Sequence, residues 1–219
     1  MPAKLATVAA TCGAVGLFMA TWWLGLDRYV SEGGISGAPH AWLYRISVWL
    51  IGIALALLVP RAGARLAAVA FGLAAPAAFV SGAVSCSPGC PLPPFERPTA
   101  GDLVHAGGTI VALLLCGFVM LVYGFARRDS PRRRAGRAGL ALVVPVLGLA
   151  AIGLVFVGRS LYSGVTERAA LAVTSLWLIA TSVAQWWAAT PTSPTTPAMP
   201  AAPAAPATPA KPTTPDAPR

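Results

Sequence analysis

Six long apolar stretches alternate with short polar breaks along this chain. They run approximately over residues 5–26, 41–59, 66–85, 103–126, 139–158 and 169–187. Each holds about 19 to 24 residues, enough for a helix to cross a hydrocarbon layer of ~30 Å at 1.5 Å per residue. No stretch alternates apolar and polar positions, so membrane strands are not predicted. A helix satisfies its own backbone groups where no water is at hand. The breaks are short, so successive helices are expected to be antiparallel neighbours. The fold expected is an all-α integral membrane protein, a six-helix transmembrane bundle over residues 1–188. The first stretch is too long for a signal-peptide core and is read as a retained helix.

Composition agrees. Charged residues make up 11% of the 219, against roughly 25% in a soluble domain. Mean hydropathy is +0.69. The formal charge of +9 would suggest nucleic acid in a soluble protein, but here its distribution excludes that partner. Assigned to alternate sides, Lys4, Arg61, Arg65, the arginines of 127–137, Lys211 and Arg219 fall on one side. Arg28, Arg45, Arg97, Arg159 and Arg168 fall on the other. The positive-inside rule places the first set, and both termini, in the cytoplasm. The acids lean outward: Asp27, Glu32, Glu96, Asp102 and Glu167 share the side with fewer bases.

From Pro191 to Pro218 every third residue is proline. Such a segment suits a polyproline II strut of up to about 90 Å and cannot build a core. Residues 189–219 are expected to form a disordered cytoplasmic tail rich in Pro, Ala and Thr. A low-complexity spacer is the simpler role, and a proline-groove partner is the alternative. The Ala, Arg and Pro bias suits a high-G+C genome, so the membrane expected is a bacterial plasma membrane.

The break from residue 86 to 105, CSPGCPLPPFERPTAGDLVH, carries the candidate chemistry. It lies on the outer side, where disulfides persist. The Ser-Pro-Gly between Cys86 and Cys90 is turn chemistry that folds one cysteine back on the other. A disulfide leads; free thiols, or a zinc site of Cys86, Cys90 and His105 with His40, are the alternatives. Thr99 and Asp102 have capping-box spacing, with Thr99 as N-cap of the fourth helix. His105 follows three residues later on the same face and would bond to Asp102.

Arg45 near the start of the second helix, and Glu167 with Arg168 at the start of the sixth, share this depth. Ionisable groups at membrane depth are costly and usually paired. A polar cluster of Arg45, Asp102, His105, Glu167 and Arg168 is therefore expected, with Arg45 paired to Asp102 or Glu167. Below it Thr174, Thr181, Ser182 and Gln185 repeat at helical spacing and should face the bundle interior. The cluster is either a pocket for a lipid headgroup or small solute, or a latch that holds the bundle.

Cys86-Ser-Pro-Gly-Cys90-Pro91, Asp102 with His105, and Glu167-Arg168 with Trp177 resemble the bacterial six-helix membrane family called domain of unknown function 998. The resemblance covers about residues 5–187 and leaves out the tail. It implies the same fold and topology and no assigned activity. Distantly similar families include eukaryotic membrane proteins tied to autophagy and lipid distribution.

The reading is a non-enzymatic scaffold or lipid-associated protein whose partners are membrane lipids. No catalytic residue, metal or cofactor is expected. The alternatives are a metal-dependent intramembrane hydrolase using Asp102 and His105, and a small-solute transporter with helices broken at Pro76 and Pro145. The sequence contains no Walker motif and no HExxH. Oligomeric state has no signal in it.

Overall fold

The computed structural model describes residues 2–126 and 130–188. The proline-rich tail and Arg127, Arg128 and Asp129 lie outside the described residues. Among those described are six helices long and apolar enough to cross a membrane. They are α1 (Pro2–Thr21), α2 (Ala41–Leu58), α3 (Arg65–Ala83), α4 (Ala100–Gly124), α5 (Pro131–Ile152) and α6 (Leu161–Ala188). Each packs on the next in sequence, and α6 returns to α1, which closes a six-helix ring. The outer faces are apolar: Leu66, Leu114, Leu142 and Leu176 are 61–66% exposed. Exposed leucines on four successive helices call for a hydrocarbon surrounding rather than water.

Three helix boundaries differ from those expected, each for a local reason. The first apolar stretch runs to residue 26, but α1 ends at Thr21. There the Thr21 hydroxyl donates to Leu17 O at 2.8 Å, and Trp23 Nε1 donates to Ala20 O at 2.8 Å. The Trp23 indole thus takes the Ala20 carbonyl, which a further turn would have used. The fifth helix begins at Pro131 rather than near 139. Ser130 caps it, accepting from Arg133 N at 3.2 Å, and proline occupies the first turn. The arginines of 132–137 therefore stand on the helix and not in a loop. The sixth begins at Leu161 rather than near 169, with Ser160 Oγ accepting from Ser163 N at 3.2 Å. Glu167 and Arg168 thus lie in its second turn. Pro76 and Pro145 both sit inside continuous helices, so neither helix is broken.

The core is densest at the end of the ring that carries the α2–α3 and α4–α5 connections. Leu55, Leu58, Phe71, Val119, Met120 and Val143 are almost fully buried there. The Phe71 ring stacks 6.5 Å from Trp177 and meets Tyr123 edge-on at 6.4 Å. The polar tips are satisfied, Tyr123 by Ala62 O at 3.0 Å and Trp177 by Ala135 O at 3.0 Å. Glycines let the backbones close up. A Cβ on Gly136 would lie 2.6 Å from Tyr123 Cβ, and one on Gly139 would lie 2.7 Å from Met120 Cγ. Gly13 and Gly16 of α1 face Ser47 of α2 in the same way, so the small residues of α1 serve packing within this chain. On α6, Thr181, Ser182 and Gln185 are buried, which places the polar stripe inside the bundle as expected.

Candidate functional site

At the other end of the ring the helices part around a cavity of about 380 Å³, lined by residues of all six. Most of its wall is apolar, including Leu113 of α4, Leu147 of α5 and Leu171 of α6. Polar groups gather where the α1–α2 connection and the cysteine loop cover it: Tyr29, Ser31, Tyr44, Ser81, Asp102, His105, Thr109, Ser163 and Glu167. Of the expected cluster, Asp102, His105 and Glu167 share this cavity; Arg45 and Arg168 do not line it.

Asp102 holds the cysteine loop. Its Oδ1 accepts from Ser87 N at 2.6 Å. Its Oδ2 accepts from Ser87 Oγ at 2.8 Å, Thr99 N at 2.7 Å and Thr99 Oγ1 at 2.7 Å. Thr99 Oγ1 in turn accepts from Asp102 N at 3.2 Å, which completes the capping box at the start of α4. Ser87 lies between Cys86 and Cys90, whose sulfurs are bonded to each other with Cα atoms 5.1 Å apart. Gly89 and Cys90 both have positive φ, at 88° and 46°, so the chain reverses tightly enough to aim Ser87 at the carboxylate. Arg159 fastens the same loop from outside, donating to Gly89 O and lying 3.5 Å from Glu96 Oε2.

His105 does not bond to Asp102. Its Nδ1 lies 2.8 Å from Ser81 O and 3.0 Å from Val84 O, at the C-terminal end of α3. Carbonyls only accept, so Nδ1 carries the proton. Nε2 of that tautomer is a bare acceptor. It is buried without a partner among the described residues, on a residue 3% exposed that lines the cavity.

Glu167 accepts from Val30 N at 2.7 Å, which ties α6 to the turn Val30–Gly34. Tyr29 lies beside it. Burial first, and the Glu167 carboxylate second, push the Tyr29 phenol above its ordinary value. Tyr44 stands across the cavity with its ring 6.3 Å from that of His105.

The two arginines of the expected cluster are tethers. Arg45 donates to Gly34 O and Ser36 Oγ at 3.4 Å each, and to Ser85 Oγ. It forms no ion pair with Asp102 or Glu167. All three contacts are made by one terminal nitrogen, while the buried Nε has no partner among the described residues. Arg168 likewise donates to Arg28 O at 2.7 Å, Gly25 O at 2.9 Å and Leu24 O at 3.4 Å, holding the α1–α2 connection.

Among the described residues no three His, Cys, Asp or Glu side chains meet as a metal site. His40 is exposed at the start of α2 and lies off the cavity. Sequence reasoning missed Tyr29, Tyr44, Ser81 and Ser87. Ser87 was legible as the first residue inside the Cys-x-x-x-Cys turn. The tyrosines carried no local signal. Glu32, buried at 4% and 3.7 Å from Arg28, was also missed.

The family model described as "Protein of unknown function (DUF998)" matches residues 5–184. The chain belongs to the DUF998 family. No curated protein and no solved structure matches it. For this DUF998 protein the match spans all six helices and the cysteine loop and stops short of the tail.

Proposed function

We propose that this DUF998 protein is a non-enzymatic, lipid-associated protein of the bacterial plasma membrane. It holds one amphiphile in the cavity, with the head among Tyr44, His105 and Glu167 and the tail directed between α4 and α5. Both termini are cytoplasmic and the cysteine loop faces outward.

The observation that carries this reading is the parting of α4 from α5. The two helices touch closely where Gly124 meets Gly136 and Gly139 meets Met120. Farther along, Ile110 and Leu114 of α4, Leu147 of α5, and Leu154 and Val155 of the π-helical turn Gly153–Val157 that follows it line the cavity instead. Ile110, Leu114 and Val155 are also 40%, 66% and 49% exposed, which supports an opening on the lipid-facing flank. The volume falls within the roughly 300–1,000 Å³ of small-molecule sites. A tail that leaves a bilayer for an apolar groove gains little, since both are hydrocarbon. Recognition therefore rests on the polar end. The four donors already bound to Asp102 weigh against the hydrolase alternative, because that carboxylate is occupied by its own loop.

Native mass spectrometry of the full chain extracted with its lipids into polymer discs tests the proposal. One bound lipid should survive mild activation in the wild type. Ala170→Phe, which fills space beside Glu167 from a buried cavity-lining position, should lose it while keeping the helical circular dichroism of the wild type. A wild-type protein that emerges free of lipid would overturn the reading.

A further inference from the structure

We propose that the end of the ring opposite the cavity carries a second lipid site, which holds the head of an anionic glycerophospholipid between the α2–α3 connection and the start of α5. The site is separate from the cavity and goes beyond the reading above. Arg132 of α5 is its fixed point. Its Nη2 donates to Arg61 O at 3.1 Å, and a Cβ on Gly63 would lie 2.8 Å from its Nη1. Gly63 has φ 70° and no side chain, so the guanidinium lies against the connection itself. A cation of α5 is thereby held beside the segment that carries Arg61 and leads into Arg65, the first residue of α3. Arg133, half-buried, follows Arg132 on α5.

No acid among the described residues neutralises these charges. Arg61, Arg65 and Arg133 make no side-chain hydrogen bond or ion pair among those residues. The described acids, Asp27, Glu32, Glu96, Asp102 and Glu167, all lie at the cavity end. Like charges gathered without a counter-ion raise the free energy of the protein, and an anion that enters among them lowers it. A guanidinium fork matches the oxygens of a phosphate two at a time. The Nε atoms of Arg132 and Arg133 are buried, so contact falls to their terminal nitrogens, to Arg61 and to the exposed Arg65. A lipid fits this place better than a free anion, because an apolar outer surface begins at once. Leu66, Val69 and Leu73 follow Arg65 at helical spacing on α3 and are exposed, which gives the acyl chains a face to lie on.

The test uses the full-length protein in nanodiscs of phosphatidylcholine and phosphatidylglycerol in equal amounts with identical chains. The two lipids share a phosphate and differ in whether an ammonium neutralises it. Native mass spectrometry reads the lipids that stay on the released protein. Phosphatidylglycerol should be enriched at least ~10-fold over phosphatidylcholine in the wild type. Arg61→Gln and Arg65→Gln should each lower that ratio about fivefold. Lys4→Gln removes a cation at the same end whose ammonium lies over the Trp186 ring, and should change the ratio less than about twofold. Ala170→Phe, in the cavity, should leave it unchanged. A wild type without enrichment would overturn the inference and leave the cavity reading standing. Folded Arg61→Gln and Arg65→Gln proteins that keep the full ratio would overturn it too, as would a Lys4→Gln protein that loses as much as they do, because the attraction would then be diffuse. Loss of the preference in Ala170→Phe would transfer it to the cavity and overturn the second site. Replacement of the lipid by a phosphate adduct in excess inorganic phosphate would make the ligand a water-soluble anion and overturn the lipid assignment.

Discussion

Replacing Asp102 with alanine removes the single carboxylate on which four donors converge: the amide and hydroxyl of Ser87 and the amide and hydroxyl of Thr99. Hydrogen bonds to a charged acceptor contribute about 1.5–3 kcal/mol each. The four are not additive, because they share one group and one loop. Ser87 and Thr99 also lie in a connection that water can reach once the carboxylate is gone. A loss of about 3–5 kcal/mol is expected, the range for stripping one partner from a buried charged network. Asp102→Asn should recover only part of it. Its amide nitrogen would face donors and leave one side of the site repelled. Ser87→Ala, which deletes one donor, should cost about 1–2 kcal/mol. Equilibrium unfolding in mixed micelles measures all three variants, and a Ser87→Ala/Asp102→Asn cycle measures their coupling. If Asp102→Ala costs less than about 1 kcal/mol, the carboxylate does not hold the loop, and the account of the outer end built on it fails.

Gly136→Leu should separate α4 from α5 at the dense end of the ring, since even a Cβ there would lie 2.6 Å from Tyr123 Cβ. A cost of about 1–3 kcal/mol is expected from overpacking, read by the same unfolding assay; a neutral result would mean the two helices do not meet there. The proposed orientation predicts that a cysteine at Pro39, in a chain otherwise without cysteine, reacts with an impermeant maleimide in intact cells. One at Arg134 should react only after permeabilisation, and the reverse pattern would invert the topology.

Helix number and the ring's chemical exterior were legible in the sequence, because each depends on a property summed over some twenty consecutive residues. The capping box of Thr99 and Asp102 was legible for the opposite reason, being complete within four residues. The Cys86–Cys90 turn likewise needed only its own Ser-Pro-Gly. The boundaries of α1, α5 and α6 were less so. A hydrophobic run can continue past a helix end, as at residues 22–26, and a helix can begin inside a charged run when Ser130 and Pro131 start it. What lay beyond the sequence was every pairing between segments far apart. A charge at a given depth announces that it needs partners, but not which. Arg45 could meet an acid or a ring of carbonyls and hydroxyls at comparable energy, and the tertiary structure chose the latter. His105 could bond Asp102 three residues away, yet the orphan carbonyls at the end of α3 took its Nδ1 and left Nε2 buried without a partner among the described residues. The cavity itself follows from α4 and α5 closing on glycines at one end and parting at the other. That depends on the angle between two helices, which no stretch of either sequence contains.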